Sequence, residues 1–444
     1  MSATGTSYAE PAVESSQPSG LPRLLAGVPA NGAMHLARHE AVHGLAPIAR
    51  GRRGQRIDLI GLIEQAGLRG RGGAGFPTAA KMRAVAASRG RPVVLVNAAE
   101  GEPASRKDRV LTRALPHLVL DGAELAAQAL GANELVLGVG ESAKAGADSL
   151  AVAIAERGLG SGSLRVRMVD VPDRYVAGQE SALVNCVNGA SALPSFTPPM
   201  PFQRGVGGRP TLVTNVETLA HAALIARHGA RWFRELGTDA QPGSALVTLS
   251  GPVAAPGVYE IALGESLDGL IDAAGGLTAR ARAVLLGGYG GTWVGAEYMQ
   301  RLALAEEPLA PFAASLGAGV VLVLSDEACP VAEVVRLARW LAEQSAGQCG
   351  PCVHGLDAIA ATLTQIAGLA PPGGGASERA LATPGGGERV RQLAGLVSRR
   401  GACRHPDGAA RMVLSALDVF AAEFADHAQH GPCERCDGAP ELPL

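Results

Sequence analysis

Residues 68–81 read Leu-Arg-Gly-Arg-Gly-Gly-Ala-Gly-Phe-Pro-Thr-Ala-Ala-Lys, with four glycines between positions 70 and 75. Backbone without Cβ atoms bends tightly and lets a ligand come close. Arg71 and Lys81 bracket it with positive charge, so a phosphate is the fitting guest. Gly70, Gly72 and Gly75 satisfy G-x-G-x-x-G, but that fingerprint belongs after a buried strand. Here Ile57, Leu59, Ile60, Leu62 and Ile63 recur at helical spacing just upstream. The loop therefore leaves a helix, which argues for a phosphate cradle in a fold other than the Rossmann type. A plain glycine turn would not need the flanking cations, Phe76-Pro77-Thr78 or Lys81.

The 444 residues suffice for about three domains. A net charge of −2 gives no electrostatic case for nucleic acid or an anionic membrane, and 3% aromatic content leaves few platforms for stacking bases. No run of about 20 apolar residues occurs, so no direct membrane insertion is expected. The first 30 residues lack a basic start followed by an apolar core, so no secretory signal is expected. Seven cysteines, clustered late and partly in C-x-x-C spacing, read as metal ligands of a cytoplasmic protein rather than a disulfide framework.

Along the chain, 1–44 reads as a disordered tail rich in small residues and proline. From 45 to 240, strand patterns at 93–96, 135–139 and 164–170 alternate with helical ones, including 142–156, which is α/β layering. From 241 to 328, short strands at 245–249, 258–261, 284–286 and 320–324 surround one helix at 266–274, giving a small α+β module. From 329 to 430 the pattern is helical, at 331–344, 354–366, 388–399 and 409–428, with a Pro/Gly-rich loop at 371–387. A short tail, 431–444, carries Cys433-x-x-Cys436.

Cys349-x-x-Cys352 with Cys403 is a metal-site constellation, for iron–sulfur or for a structural zinc. Cys433 and Cys436 could complete that site, bind zinc between chains, or do nothing. Cys186 and Cys329 sit among apolar residues and read as core thiols. Glu100 and Glu102 follow the 93–96 strand, where α/β folds bind ligands. Tyr175 with Glu180, and Asn215 with Glu217 and Thr218, form two further polar edges. Each alone is a cap or turn; together with the glycine loop they favour a pocket. His354 and His405 flank cysteines and read first as ordinary surface or core residues. No Ser-His-Asp or Cys-His pairing stands out, and no H-E-x-x-H occurs.

Taken in order, the glycine loop, Asn97-Ala-Ala-Glu-Gly-Glu-Pro, Tyr175-x-x-Gly178-x-Glu180, Pro210-Thr-x-x-x-Asn215-Val-Glu-Thr218 and Gly347-Gln-Cys349-Gly-Pro-Cys352 resemble one family. It is the flavin-containing, NADH-oxidising subunit of respiratory complex I, with relatives in NAD-reducing hydrogenases and formate dehydrogenases. The resemblance implies an α/β domain for FMN and NADH, a ubiquitin-like soluble-ligand-binding β-grasp (SLBB) module, and a four-helix bundle carrying a [4Fe–4S] cluster. It places Gly70, Arg71, Gly72 and Lys81 on the FMN phosphate and ribityl chain, with Gly73 and Gly75 completing the loop. Asn97, Glu100, Asn215 and Thr218 join the cofactor-binding set. Glu102, Tyr175, Gly178 and Glu180 shape the nicotinamide side, with Glu102 and Glu180 as the catalytic pair, and Phe76 meets the adenine end. Cys349, Cys352 and Cys403 ligate iron. In the family, hydride passes from NADH to the flavin and electrons leave singly to the cluster, so the protein supplies orientation and charge.

Several positions depart from the family pattern. Ala346 replaces the first cluster cysteine, leaving three options: a [3Fe–4S] cluster, a fourth ligand from Cys433, Cys436, His354 or Ser345, or no cluster. Ala99 and Gln179 each replace an acidic residue, and loss of the second admits NADPH as an alternative donor. Met200 and Ala84 replace aromatic residues that would stack on adenine, with Phe196 and Phe202 as substitutes. Two readings follow. One is an FMN-dependent NADH dehydrogenase passing electrons to a ferredoxin, a [2Fe–2S] partner subunit or a membrane-bound reductase, peripheral to the membrane through that partner. The other is a degenerate scaffold subunit without turnover.

Overall fold

The computed structural model describes residues 20–48, 57–369 and 386–443. Four strands, β1 (Val93–Ala98), β2 (Glu134–Gly140), β3 (Arg165–Val171) and β4 (Thr211–Asn215), form a wholly parallel sheet in the order β3-β2-β1-β4. Parallel sheets are covered on both faces, which demands unbroken apolar runs. Val94 and Val96 point into the larger core while Val93 and Leu95 point into the smaller one behind. Helices Pro116–Leu130 and Val216–Phe233 cover the first face, and helix Glu180–Val187 the second. The first two cross so closely that a Cβ on Gly122 would run into the Leu219 carbonyl.

Strand β4 and these two long helices lack a clear pattern in the sequence. Helix Pro116–Leu130 is buried nearly all round, so it shows no amphipathic stripe to count.

Residues 20–44 depart from the expected disordered tail. Leu24, Leu25 and Met34 belong to the main core, and helix Leu36–His43 is pinned through His39 Nε2 to Asp121 Oδ2 at 2.7 Å. Arg157 and Arg227 converge on the same buried carboxylate. Composition hid this order because the partners of the segment, Asp121 and Glu260 among them, lie 82 to 237 residues away. The expectation for residues 1–19 lies outside the described residues.

The second unit is a five-stranded mixed sheet built from β5 (Ser244–Ser250), β6 (Gly257–Ala262), β7 (Ala281–Leu286), β8 (Thr292–Gly295) and β9 (Val320–Ser325). Its order is β6-β5-β9-β7-β8, with β5 and β9 parallel and the other pairs antiparallel. Helix Leu267–Ala273 packs on one face, completing the β-grasp arrangement. The four-residue β8 stands between glycines and gave no sequence signal.

Helices Pro330–Glu343, Asp357–Ile366, Gly386–Val397 and His405–Val419 form the helical unit. A π-helical turn, Pro351–Leu356, leads into the second of these. The helix expected over 409–428 begins earlier, at His405, and breaks at Phe420, so Ala421–His430 is a fifth helix. Phe420 is fully buried, and its ring meets Trp293 of β8 edge-on at 5.2 Å. Most of the expected 371–387 loop lies outside the described residues, while Gly386 already begins a helix. Among the described residues, no helix is long and apolar enough to cross a membrane.

Candidate functional site

Connections from β1 run to β2 and β3 on one side, and β4 returns on the other. The order therefore reverses between β1 and β4, and ligands of open α/β sheets bind at the carboxyl ends of such a pair. Asn97 of β1 stands opposite Asn215 of β4 at those ends. Asn97 Nδ2 donates to Gly178 O at 2.7 Å, which draws the Tyr175–Gly178 turn over the crevice. A Cβ on Gly178 would lie 2.8 Å from Ala99 O, so only glycine fits there without displacing the strand end.

The glycine loop closes on itself before it meets this crevice. Gly70 N donates to Phe76 O at 2.9 Å, Arg69 Nε donates to Gly75 O at 2.7 Å, and Arg69 pairs with Glu306 at 2.9 Å. Gly73 and Gly75 take positive φ, +105° and +60°, which this closure requires. Arg71 N donates to Thr218 Oγ1 at 2.9 Å, and a Cβ on Gly72 would stand 3.3 Å from Asn215 Cβ. The loop is thereby laid along the end of β4. Phe76 is 56% exposed beside it, and Lys81, on helix Thr78–Ala86, pairs with Glu180 at the start of helix Glu180–Val187.

Not every expected residue faces the crevice. The Glu100 carboxylate accepts from Asp108 N at 3.1 Å, Arg109 N at 3.2 Å and Ser105 Oγ, and so caps helix Lys107–Ala114. The Arg71 guanidinium is buried against the β-grasp unit: its Nη2 donates to Ser244 O at 3.0 Å, and its Nε lies 4.0 Å from Glu217 with no hydrogen-bond partner. Gln179 caps helix Glu180–Val187, accepting from Ser181 N at 2.8 Å and Ala182 N at 3.0 Å.

Beneath the loop lies a buried charge network. Lys107 Nζ reaches Asp108 Oδ1 at 2.6 Å and Glu217 Oε2 at 3.0 Å, while Asn215 Nδ2 donates to Asp108 Oδ2 at 2.6 Å. Burial opposes ionisation of Glu217, but Lys107, His221 and Arg71 outweigh it and bring its carboxyl down to about 2. Burial likewise disfavours the Lys107 ammonium, yet Asp108 and Glu217 hold it above its ordinary value. Lys107 and Asp108 open an amphipathic helix, so their sequence context signalled only an ordinary helix start.

Glu102 behaves differently. It is buried, accepts from Tyr289 N of the β-grasp unit at 3.0 Å, and meets the Tyr175 hydroxyl. Burial raises its carboxyl to about 7 despite these hydrogen bonds. Tyr175 is held in turn by the helical unit: its N donates to Gln344 Oε1 at 3.1 Å, and its ring lies 5.3 Å from both Trp340 and His405.

That contact leads to three cysteines. Cys349 precedes the π-helical turn, Cys352 lies in it with 1% exposure, and Cys403 precedes helix His405–Val419. Burial pushes the Cys352 thiol up to about 11; a hydrogen bond with Ser345 opposes this, and the neighbouring Cys349 and Cys403 add to it. The three cysteines thus lie near one another, with Ser345 beside them and Ala346 supplying only its backbone N–H. His405 turns away to the Leu341 carbonyl at 2.8 Å. Cys433 and Cys436 lie elsewhere, with Cys329 at the other end of the 14-residue helix Pro330–Glu343, about 20 Å off. This corrects the reading of Cys329 as a plain core thiol and removes the tail as the source of a fourth cluster ligand.

The residues present fit a flavin phosphate: a glycine loop laid so close to the end of β4 that a Cβ on Gly72 would stand 3.3 Å from Asn215 Cβ, and a Lys81 ammonium at the loop. They fit an iron–sulfur cluster through three thiolates, one short of the usual four.

Comparison with known proteins agrees with this division. Residues 63–223 match the Nuo51 FMN-binding domain, 246–292 the SLBB domain, and 332–427 the NADH-ubiquinone oxidoreductase-F iron–sulfur binding region. The chain is 33% identical over 390 residues to the F 2 subunit of the NADH-quinone oxidoreductase of Rhizobium meliloti (strain 1021), covering 85% of this chain and 90% of that protein. It is 31% identical over 383 residues to the F subunit of the Streptomyces coelicolor NADH-quinone oxidoreductase, covering 83% of each. A crystal structure of an NAD+-reducing [NiFe]-hydrogenase in the air-oxidised state superposes with a TM-score of 0.75 at 33% identity, covering 90% of this chain and 66% of that one. With the switch-point crevice, the β-grasp unit and the cysteine-bearing helices in the same order, the chain belongs to the family of FMN- and iron–sulfur-binding F subunits of NADH oxidoreductases.

Proposed function

We propose that the chain is a flavin-dependent NADH oxidoreductase whose crevice between β1 and β4 holds FMN and presents it to NADH. It passes the electrons on through a cluster at Cys349, Cys352 and Cys403. The Tyr175–Gly178 turn carries the reading. It touches Asn97 at one end and Trp340 and His405 at the other, so one short segment spans the hydride site and the cluster.

FMN, when bound, takes two electrons with a hydride and gives them up singly. The protein's part is binding, orientation and charge. Gly70, Gly72, Gly73 and Gly75 leave the loop backbone open to the phosphate, with Lys81 as its cation, while Arg71, turned to Ser244 O and Glu217, braces the loop against the β-grasp unit. Asn97, Asn215 and Thr218 fix the strand ends against the flavin. Glu100 acts at one remove, by holding helix Lys107–Ala114 in place. Glu102, Tyr175, Gly178 and Glu180 border the nicotinamide, and exposed Phe76 is free to stack on the adenine. Glu102, with its carboxyl raised by burial to about 7, is about half ionised at neutral pH, so its charge beside the nicotinamide is lower than that of an ordinary carboxylate. Three cysteines without a fourth favour a [3Fe–4S] cluster, which Cys349, Cys352 and Cys403 would hold, with Ser345 hydrogen-bonded to Cys352 beside them.

The acceptor is a partner protein: relatives are named as one subunit of a larger oxidoreductase. A [2Fe–2S] subunit, a ferredoxin or a membrane-bound reductase would fill that role, with this chain on the cytoplasmic side. Anaerobic purification followed by NADH titration tests the proposal. A bound flavin band that bleaches with one equivalent of NADH supports it. A colourless, iron-free protein after reconstitution with FMN, iron and sulfide overturns it, as does a bound flavin that NADH does not reduce.

A further inference from the structure

Cys329, His427, Cys433 and Cys436 have no part in the chemistry above, yet their ligand atoms all lie within 4.8 Å of one another. Cys329 ends the β-grasp connection and caps helix Pro330–Glu343, with its Sγ accepting from Ala332 N at 3.5 Å. A helix N-terminus favours the thiolate form. His427 closes helix Ala421–His430. Cys433 precedes the short turn Glu434–Asp437 in the C-terminal tail, and Cys436 lies within it.

We propose that these four residues form a second metal centre, a mononuclear tetrahedral Zn2+ site separate from the cluster cysteines, that staples the C-terminal tail to the helical unit. Zinc–ligand bonds of about 2.3 Å to sulfur and 2.0–2.1 Å to nitrogen place tetrahedral ligands about 3.8 Å apart for two sulfurs and about 3.5 Å for sulfur and nitrogen. The observed separations are 3.8 Å for Cys433 to Cys436, 3.3 Å for Cys436 to Cys329, 3.5 Å for Cys329 to His427 Nε2, and 3.9 Å for Cys436 to His427 Nε2. A polynuclear cluster, with several iron atoms between its ligands, needs thiolates further apart than this.

The imidazole is already oriented for such a role. His427 Nδ1 lies 3.2 Å from the Ala367 carbonyl, so a proton there leaves Nε2 bare toward the sulfurs. Metal-ligating histidines almost always use their second nitrogen in this way. Cys329 and His427 are buried, at 3% and 2% exposure, and three soft sulfurs with one imidazole suit a closed structural zinc. Cys329, Cys433 and Cys436 all fall outside the 332–427 segment that matches the family's iron–sulfur region.

The tail is short of apolar anchors, with Leu442 its one deeply buried hydrophobic side chain among the described residues. Polar contacts assist: Arg336 donates to Leu442 O at 2.6 Å, Ser325 N to Glu441 Oε2 at 2.9 Å, and Arg435 to Asp326 O at 2.7 Å. The metal would tie the start of one helix, the end of another and the tail at a single point. Binding displaces the thiol protons and involves no change of oxidation state.

The test uses the full chain purified with its flavin and iron, analysed for zinc and iron by plasma mass spectrometry and for zinc environment by X-ray absorption. The expected result is one zinc per chain with three sulfur ligands and one nitrogen. In the Cys433→Ser/Cys436→Ser double variant, zinc falls below stoichiometry while flavin and cluster iron remain at wild-type content. Wild-type protein that stays substoichiometric after Zn2+ is added under reducing conditions overturns the proposal. So does zinc retained in the double variant, or a single iron found in that coordination. Should the double variant fail to fold, the wild-type zinc absorption edge decides by its sulfur count. Failure of this site leaves the NADH titration unaffected, so the two readings are judged separately.

Discussion

The ring of Tyr175 lies 5.3 Å from that of His405, two residues beyond Cys403. The same tyrosine meets Glu102, whose carboxylate accepts from Tyr289 N of the β-grasp unit. All three units therefore converge on one pair of side chains, Tyr175 and Glu102, at the edge of the proposed flavin crevice.

That pair makes stability depend on pH. The folded-state carboxyl of Glu102 titrates at about 7, above its ordinary 4.5, so the neutral form is the one favoured by folding. Its contribution is complete below about pH 4.5 and is lost as the pH rises through about 7, a change on the order of 3 kcal/mol. Thermal melts of the wild type are expected to decline from about pH 5 to about pH 8. Glu102→Gln, neutral throughout, should flatten that decline. Tyr175→Phe removes a hydrogen bond that lowers the Glu102 value, and so moves the decline to higher pH.

Lys107 balances Asp108 and Glu217 where none of the three is solvated. Lys107→Met should cost about 3–5 kcal/mol, since it leaves two buried carboxylates without their cation. Urea unfolding at neutral pH reads this loss. Glu217 is depressed to about 2, so its stabilising contribution exists above the ordinary carboxylate range and is lost as the pH falls toward about 2. In the variant that acid-side loss should shrink, because Lys107 is the largest influence holding Glu217 ionised against burial.

Gly178→Ala places a methyl 2.8 Å from the Ala99 carbonyl. The strand end or the turn must yield, at a cost of about 1–3 kcal/mol. The purified variant is expected to carry less than half the wild-type flavin, measured by absorbance after heat release. Gly131→Ala is no suitable control, because Gly131 has a positive φ, whereas Gly162 has open space around it. Gly162→Ala should retain the flavin in full.

Ala346→Cys restores a thiol to the position that faces Cys352 through its backbone N–H. Iron content after anaerobic reconstitution should rise by one per chain. The oxidised protein should also lose the paramagnetic resonance signal expected of a three-iron cluster. Unchanged iron, with no such signal already in the wild type, would show that another ligand fills the gap.

Much of the site was legible in the residues. The glycine loop, Asn97, Glu102, Tyr175, Gly178, Glu180, Asn215 and Thr218 stand as linear motifs because each lies at the end of an element, where local chemistry shows. Lys107 and Asp108 did not stand out, since a charged pair at a helix start is ordinary until its neighbours remove the water. Cys329 carried no signal either. Its nearest sulfur partner is 107 residues away in sequence and 3.3 Å away in space.

By itself, the sequence determined the order of three units, the glycine loop and the spacing of Cys349, Cys352 and Cys403, because these rest on local backbone freedom and short spacings. The tertiary structure alone decided which charges are buried together. It pinned residues 20–44 to the main core, turned Arg71 toward Glu217 and Ser244, and separated the tail cysteines from the cluster by the length of a helix. Such outcomes depend on desolvation and on contacts between residues far apart in sequence, and neither quantity exists until the chain has folded.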